Sequence, residues 1–307
     1  MDLTREIKKI DLHAHSHFAG GPERVRGGTW PTPETVRRIY DNLNIEWGVQ
    51  MSCGAPEHMH DPITSRDSEA ICKAYPETFP YWFCALDPRM AWNDVNRVPD
   101  YSYYIDFFRE RGARGAGEIQ ANIMIDDPRA MGMFSHCEKK DFPVTVHIGP
   151  FGRRWGLADE VGLGHLENVL KSFPHLTLIA HAAAFWSEIS ADVTEKTREN
   201  NSSGPVVRGG RIPQLLRKYP NLICDISAAS GYNALSRDLE FTYEFIDEFY
   251  ERIAFATDVS DATRDAKTDK NASLLSNLLD EGYRSGNISA TAYRAICRDN
   301  ALRILKL

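Results

Sequence analysis

The sequence predicts a parallel (β/α)8 barrel, the TIM-barrel architecture, formed by residues 1–307 as a single domain. Eight short runs rich in β-branched and aromatic residues recur along the chain, each separated from the next by a longer helical pattern. None of the separations is as short as a hairpin turn, so neighbouring strands must pair in parallel. Several runs also close on a histidine or an acid, and a barrel of this kind gathers its strand ends at one mouth.

The predicted strands are KIDLHAH (9–15), EWGVQMSCG (46–54), YWFCALD (81–87), ARGAGEIQ (113–120), PVTVHIG (143–149), LTLIAHA (176–182), NLICDIS (221–227) and RIAFATD (252–258). Between them, Pro31, Pro33 and Glu34 give one helix the proline and early acid that N-termini favour. A second helix, from Ser65 to Tyr75, is stopped by Pro76, and Pro128 falls in the first turn of another. Leu166 to Phe173, Arg211 to Tyr219 and Leu239 to Tyr250 carry apolar residues three and four apart. Four junctions share an aromatic–proline step (FPYWF, DFPVTVHI, FPHLTLI, YPNLICDI), where proline stops the helix and extends the residue before it. A polar stretch around 186–211 is too long for an ordinary connection and reads as an excursion over the site.

Composition narrows the function classes. The chain has 307 residues, 42% hydrophobic and 26% charged, enough apolar surface for a core of this size. Its 36 basic and 43 acidic residues leave a net charge of −7, which argues against nucleic acid as the partner. The six cysteines form no CxxC pair, so buried free thiols in a reducing compartment are expected rather than a disulfide framework. The N-terminus lacks the apolar stretch of a signal peptide, and no window approaches the roughly 18 apolar residues of a membrane span. A soluble, cytoplasmic protein is the expectation. GARGAG (112–117) precedes the end of a strand rather than a helix, so it is not a dinucleotide fingerprint and no organic cofactor is expected.

The chemistry lies at the strand ends. His13 and His15 are two apart in the first run, which places both imidazoles on one face. A pair of structural histidines would show the same spacing. His147 and His181 close the fifth and sixth runs and Asp258 the eighth, each costly to bury without a partner. Five metal-competent side chains arriving at one rim predict a divalent-metal site.

This order of ligands resembles the amidohydrolase superfamily and, within it, the second amidohydrolase group of metal-dependent hydrolases, lactonases and non-oxidative decarboxylases. GHLENVLKSFPHLTLIAHAAAF and the closing DNALRILKL carry the resemblance further along the chain. It implies a catalytic divalent ion, zinc or else manganese, held by His13, His15, His147, His181 and Asp258, with Asp258 as acid and base. Binuclear members often carry a bridging lysine on strand four; this chain has Glu118 there. Glu118 is similar to the bridging carboxylate of TatD-like deoxyribonucleases, which would allow two ions. Alternatively it binds substrate or holds a histidine in place. His181 is either a ligand or a group that polarises a substrate carbonyl.

An ion among neutral histidines acidifies water toward a pKa of about 7, and Asp258 is placed to take up the proton and return it to a leaving group. The expected reaction is hydrolysis of an ester, lactone or amide of a small anionic molecule. The alternative is a lyase that decarboxylates an aromatic or enoic acid, with Asp258 protonating carbon. Several decarboxylases of this group replace the first histidine by glutamate, whereas His13 is retained. A catalytically silent barrel would have lost ligands that are intact here. Substrate contacts are expected from the loops after the strands: His58, with His60 beside it, Arg89, Arg153, Arg154, Trp186 and Tyr232. The arginines suit a carboxylate. Barrels of this type often pair through outer helices, so a homo-oligomer is an expectation of the resemblance.

Overall fold

The computed structural model describes residues 2–24, 27–90, 99–152, 155–200, 202–262 and 272–307. Among these residues, eight parallel strands follow one another around a single sheet: β1 (Lys9–Ala14), β2 (Ile45–Met51), β3 (Tyr81–Cys84), β4 (Ala113–Ile119), β5 (Val144–Gly149), β6 (Leu178–His181), β7 (Leu222–Asp225) and β8 (Ile253–Ala254). A two-residue strand, Leu157–Ala158, flanks β5. The chain leaving β8 meets β1 and closes the circle. Leu12 N–H donates to the Phe255 carbonyl at 3.1 Å, Asp258 N–H to that of His13 at 2.8 Å, and His15 N–H to that of Val259 at 2.8 Å. This is a nearly closed (β/α)8 barrel, as the alternation of runs predicts.

Helices α1 (Pro33–Leu43), α2 (Ser65–Ala74), α3 (Tyr101–Arg109), α4 (Pro128–Lys139), α5 (Gly164–Ser172), α6 (Arg211–Lys218), α7 (Leu239–Phe249) and α8 (Ala272–Arg284) follow the strands in turn. Their starts are written locally. The Thr32 hydroxyl caps α1 ahead of Pro33, Thr64 and Asp67 form a reciprocal capping box on α2, and Asp127 caps α4 ahead of Pro128. No helix among the described residues is long and apolar enough to cross a membrane. All six cysteines are buried and unpaired.

Ile10, Leu12, Val49, Met51, Phe83, Ile179 and Ile223 pack together inside the barrel. Ile304 and Leu305 of the C-terminal helix Asn300–Leu305 pack against this cluster. A larger apolar layer lies between the strands and the helices.

Strand β1 departs from simple alternation: with Ile10 and Leu12 facing the barrel interior, a regular strand would turn His13 and His15 to the opposite face. Its register against β2 slips between Asp11 and Ala14. The buried Asp11 carboxylate takes up backbone donors around that irregularity, accepting from His13 N–H at 3.0 Å and Thr257 N–H at 2.9 Å through one oxygen. Its other oxygen accepts from the hydroxyls of Tyr40 at 2.8 Å and Thr257 at 2.5 Å. Burial pushes Asp11 up to about 6 against these hydrogen bonds.

Tyr40 reaches Asp11 across Gly48 of β2, where an added Cβ would stand 2.0 Å from the Tyr40 oxygen. Gly48→Ala is therefore expected to displace Tyr40 and destabilise the fold by about 1–3 kcal/mol. An unchanged urea midpoint and slope would contradict this account of β1.

Candidate metal centre

The strand ends and the turn after β8 bring six side chains to one point. Glu118 lies at the middle, 5% exposed. Its Oε1 accepts from His147 Nδ1 at 2.7 Å and His181 Nε2 at 2.5 Å. Its Oε2 lies 3.4 Å from His15 Nε2 and 3.8 Å from His13 Nε2. Asp258 Oδ1 is 3.5 Å from His15 Nε2 and 3.8 Å from His13 Nε2. Asp258 has a left-handed backbone, φ 51°, and its side chain is 23% exposed, so it meets both the buried histidines and the solvent side.

Hydrogen bonds fix the tautomers of the pair on β1. His15 Nδ1 lies 3.2 Å from the Met51 carbonyl and His13 Nδ1 lies 2.7 Å from Asp225 Oδ2. Both partners only accept, so both Nδ1 atoms carry the proton and, in the neutral rings, both Nε2 atoms present lone pairs. Those lone pairs face each other across 3.1 Å. Only a proton or a cation makes that arrangement favourable. Ligand atoms of His13, His15 and Asp258 all lie within 4.8 Å of one another, as do those of His13, Glu118 and His181. Two neutral nitrogens with one or two carboxylates is a donor set that suits a divalent ion, and these residues fit one.

The electrostatics point the same way. Burial opposes ionisation of Glu118, yet His181 and the hydrogen bonds from the surrounding histidines hold its carboxyl well below the usual range. Burial likewise opposes protonation of His13, but the Asp225 and Glu118 carboxylates outweigh it and push its pKa well up. His181 is raised by Glu118 against the same penalty. The site is thus built to concentrate positive charge around Glu118 and Asp225. Asp225 also accepts from Ser227 N–H at 2.8 Å. Gln120 Nε2 donates to Glu118 at 2.6 Å, and the Cys53 thiol donates to Gln120 Oε1 at 2.9 Å.

A pocket of about 210 Å³ opens on this cluster through His15, Glu118, His147 and Asp258. A second lobe of about 170 Å³ shares His147, Trp155 and Asp258 with the first and is bounded also by His181 and Ser230. Glu199, from the excursion around 186–211, also lines it.

The residues expected to touch substrate fall in different places. His58 lines the pocket, its ring centroid 4.8 Å from that of Trp155, and burial lowers its pKa to about 4. Arg89 lies off the pocket wall. Its guanidinium is taken up by Glu57, with two contacts of 2.7 Å, and by Asp87 at 2.9 and 2.7 Å. Trp186 is buried, and its indole N–H donates to the Asp225 carbonyl at 2.9 Å. Tyr232 is half-buried against the core and lines neither lobe. Arg153 and Arg154 lie outside the described residues. Sequence reasoning missed Asp225, although it closes an apolar run as His181 does. It also missed Arg24, Trp30, Asp61 and Gln120, which carry no periodic signal.

A family model described as amidohydrolase matches residues 10–307. No curated protein sequence matches this one. Several solved structures share the fold. One is an amidohydrolase from Burkholderia multivorans with bound HEPES, 14% identical, with a TM-score of 0.60 over 98% of this chain and 100% of that one. Another is a probable 2-pyrone-4,6-dicarboxylic acid hydrolase from Acinetobacter baumannii with citric acid bound, 10% identical, with a TM-score of 0.57 over 98% and 100%. A third is a dihydroxybenzoic acid decarboxylase from a Polaromonas species with bound manganese and the inhibitor 2-nitroresorcinol, 15% identical, with a TM-score of 0.57 over 97% of each chain.

The Arg89 cluster yields a pH prediction for the rim of the site. Glu57 accepts from Asn122 N–H at 3.0 Å as well as from Arg89. Although burial opposes its ionisation, these partners pull Glu57 down to about 2. A folded-state pKa below the unfolded one gives stability that is present above the unfolded pKa and lost as pH falls toward the folded one. The stability difference between wild type and Glu57→Gln should therefore be full near neutrality and shrink as pH drops from the ordinary carboxyl range toward about 2. A difference that stayed constant across that window in urea titrations would contradict the pairing.

Proposed function

Because the chain belongs to the amidohydrolase family, whose model matches residues 10–307, we propose that it is a metal-dependent hydrolase that cleaves an ester, lactone or amide of a small anionic molecule. The observation that carries the reading is the pair of imidazole lone pairs facing across 3.1 Å, with Asp258 beside them on the open side of the site. His13, His15 and Asp258 would hold one ion, zinc by the preference of neutral imidazoles and carboxylate, with manganese the alternative. Glu118 would complete the set from within, anchored by His147 and His181. The ion, when bound, supplies Lewis acidity to a substrate carbonyl and to water.

The chain's own residues supply the rest. Asp225 fixes the His13 ring and its tautomer, and the Met51 carbonyl does the same for His15. Asp258 is the only acid of the cluster with substantial exposure among the described residues, at 23%. It is placed to accept a proton from water in the pocket and to deliver it to the leaving group. His147, half-buried at the boundary of the two lobes, donates from Nδ1 to Glu118, so its neutral ring presents the Nε2 lone pair, which can accept from a substrate hydroxyl. Retention of His13 in the pair on β1 favours hydrolysis over decarboxylation.

Asp258→Asn keeps an oxygen toward the ion but cannot take up a proton. Its kcat should fall by about 10²–10⁴-fold, with KM changed far less. Assayed on a panel of small lactones and esters, the wild type should release acid, one proton per turnover at neutral pH, and no carbon dioxide. Carbon dioxide from an aromatic or enoic acid would replace this reading by the lyase one, and full activity in Asp258→Asn would remove Asp258 from the chemistry.

A further inference from the structure

The pocket beside the metal centre has a wall that the proposed chemistry does not use. It is built by the chain leaving β1 and the chain leaving β2, which are locked together. The Trp30 indole N–H donates to the Asp61 carbonyl at 3.1 Å, and Trp30 packs with Cys53 and Ile63. Arg24 exchanges backbone hydrogen bonds with Gly27 and Gly28, and its guanidinium lies 4.3 Å from the Trp30 ring centroid. Trp30 in turn lies tilted against His15, with ring centroids 5.5 Å apart, so this wall adjoins the proposed metal ligands.

Three buried polar atoms on this wall have no hydrogen-bond partner among the described residues: Arg24 Nη2, His58 Nε2 and Asp61 Oδ2. All three residues line the pocket, and His58 is only 9% exposed. Buried polar groups are nearly always paired, so three orphans on one pocket wall mark an absent partner. Their chemistry describes it. A guanidinium only donates and calls for an anionic oxygen, which Arg matches with its planar fork. A carboxylate only accepts, so Asp61 calls for a hydroxyl or N–H. A purely anionic or aromatic ligand would leave Asp61 unpaired or repelled. Trp30 and Trp155 add two indoles to the lining, suited to the C–H faces of a carbon chain.

We propose that Arg24, His58 and Asp61 form the specificity subsite for a hydroxylated acid, whose free carboxylate meets Arg24 while a hydroxyl donates to Asp61. The scissile ester or lactone lies at the other end, toward Asp258, which makes the product a hydroxylated dicarboxylate. This deepens the hydrolase reading and rests on it only for where the bond is cut.

The test is a binding experiment with three six-carbon probes on the metal-loaded protein, followed by calorimetry. Glucarate has two carboxylates and hydroxyls, gluconate lacks the second carboxylate, and adipate lacks the hydroxyls. Wild type should bind glucarate roughly ten-fold or more tighter than either of the others, the scale of a charge-assisted hydrogen bond. Arg24→Met should abolish the preference over gluconate and keep that over adipate. Arg24→Lys, which keeps the charge without the fork, should retain part of it. Asp61→Asn should abolish the preference over adipate. Absence of either preference in wild type, or its survival in full in the matching variant, overturns the proposal. Because these ratios need no turnover, carbon dioxide release would sink the hydrolase reading and leave them intact. Proton release with unchanged ratios would sink the subsite alone.

Discussion

A carboxylate buried at the centre of the barrel mouth, Glu118, governs the arrangement around it. Removing such a charge from water is costly, and it persists only where partners restore what solvation supplied. Here His147 and His181 meet one of its oxygens, Gln120 meets the other, and His13 and His15 stand within 4 Å. Three of those partners are fixed from behind in their turn: His13 by Asp225, His15 by the Met51 carbonyl, Gln120 by Cys53. The proposed metal centre is the point where this inward-facing set leaves lone pairs unanswered.

Geometry at that scale depends on the irregularity in β1. A regular strand would not carry Leu12 into the interior packing and still bring both imidazoles to Glu118. Asp11 makes the irregularity tolerable by accepting the amide donors of His13 and Thr257. Thr257 precedes Asp258, so one carboxylate ties the first pair of proposed ligands to the last. Farther out, the Glu57–Arg89–Asp87 cluster joins the segments after β2 and β3, with Asn122 linking the one after β4. The loops that carry the pocket are therefore tied to one another by paired charges lying beyond its wall.

Much of this was legible from residue order. Each of the eight apolar runs overlaps a strand, because alternation of short β-rich and longer helical patterns leaves few topologies to choose from. Histidines and acids closing those runs were legible because burial of a lone polar side chain after a β-branched stretch needs a reason. What escaped was set by contacts distant in sequence. Arg89 looks like a free anion binder until Glu57, from another loop, is seen to occupy it. Trp186 follows His181 closely but turns inward, after Ala182 adopts φ 92°, to donate to the Asp225 carbonyl. Arg24 and Asp61 become one wall only because Trp30 bridges their loops.

The most direct measurement is elemental analysis of the purified, reconstituted protein beside the double variant His13→Ala, His15→Ala. The account predicts about one divalent ion per wild-type chain and a folded double variant with none retained after dialysis. A double variant that kept its metal in full, or a wild type that bound none, would contradict the assignment of the centre to these residues.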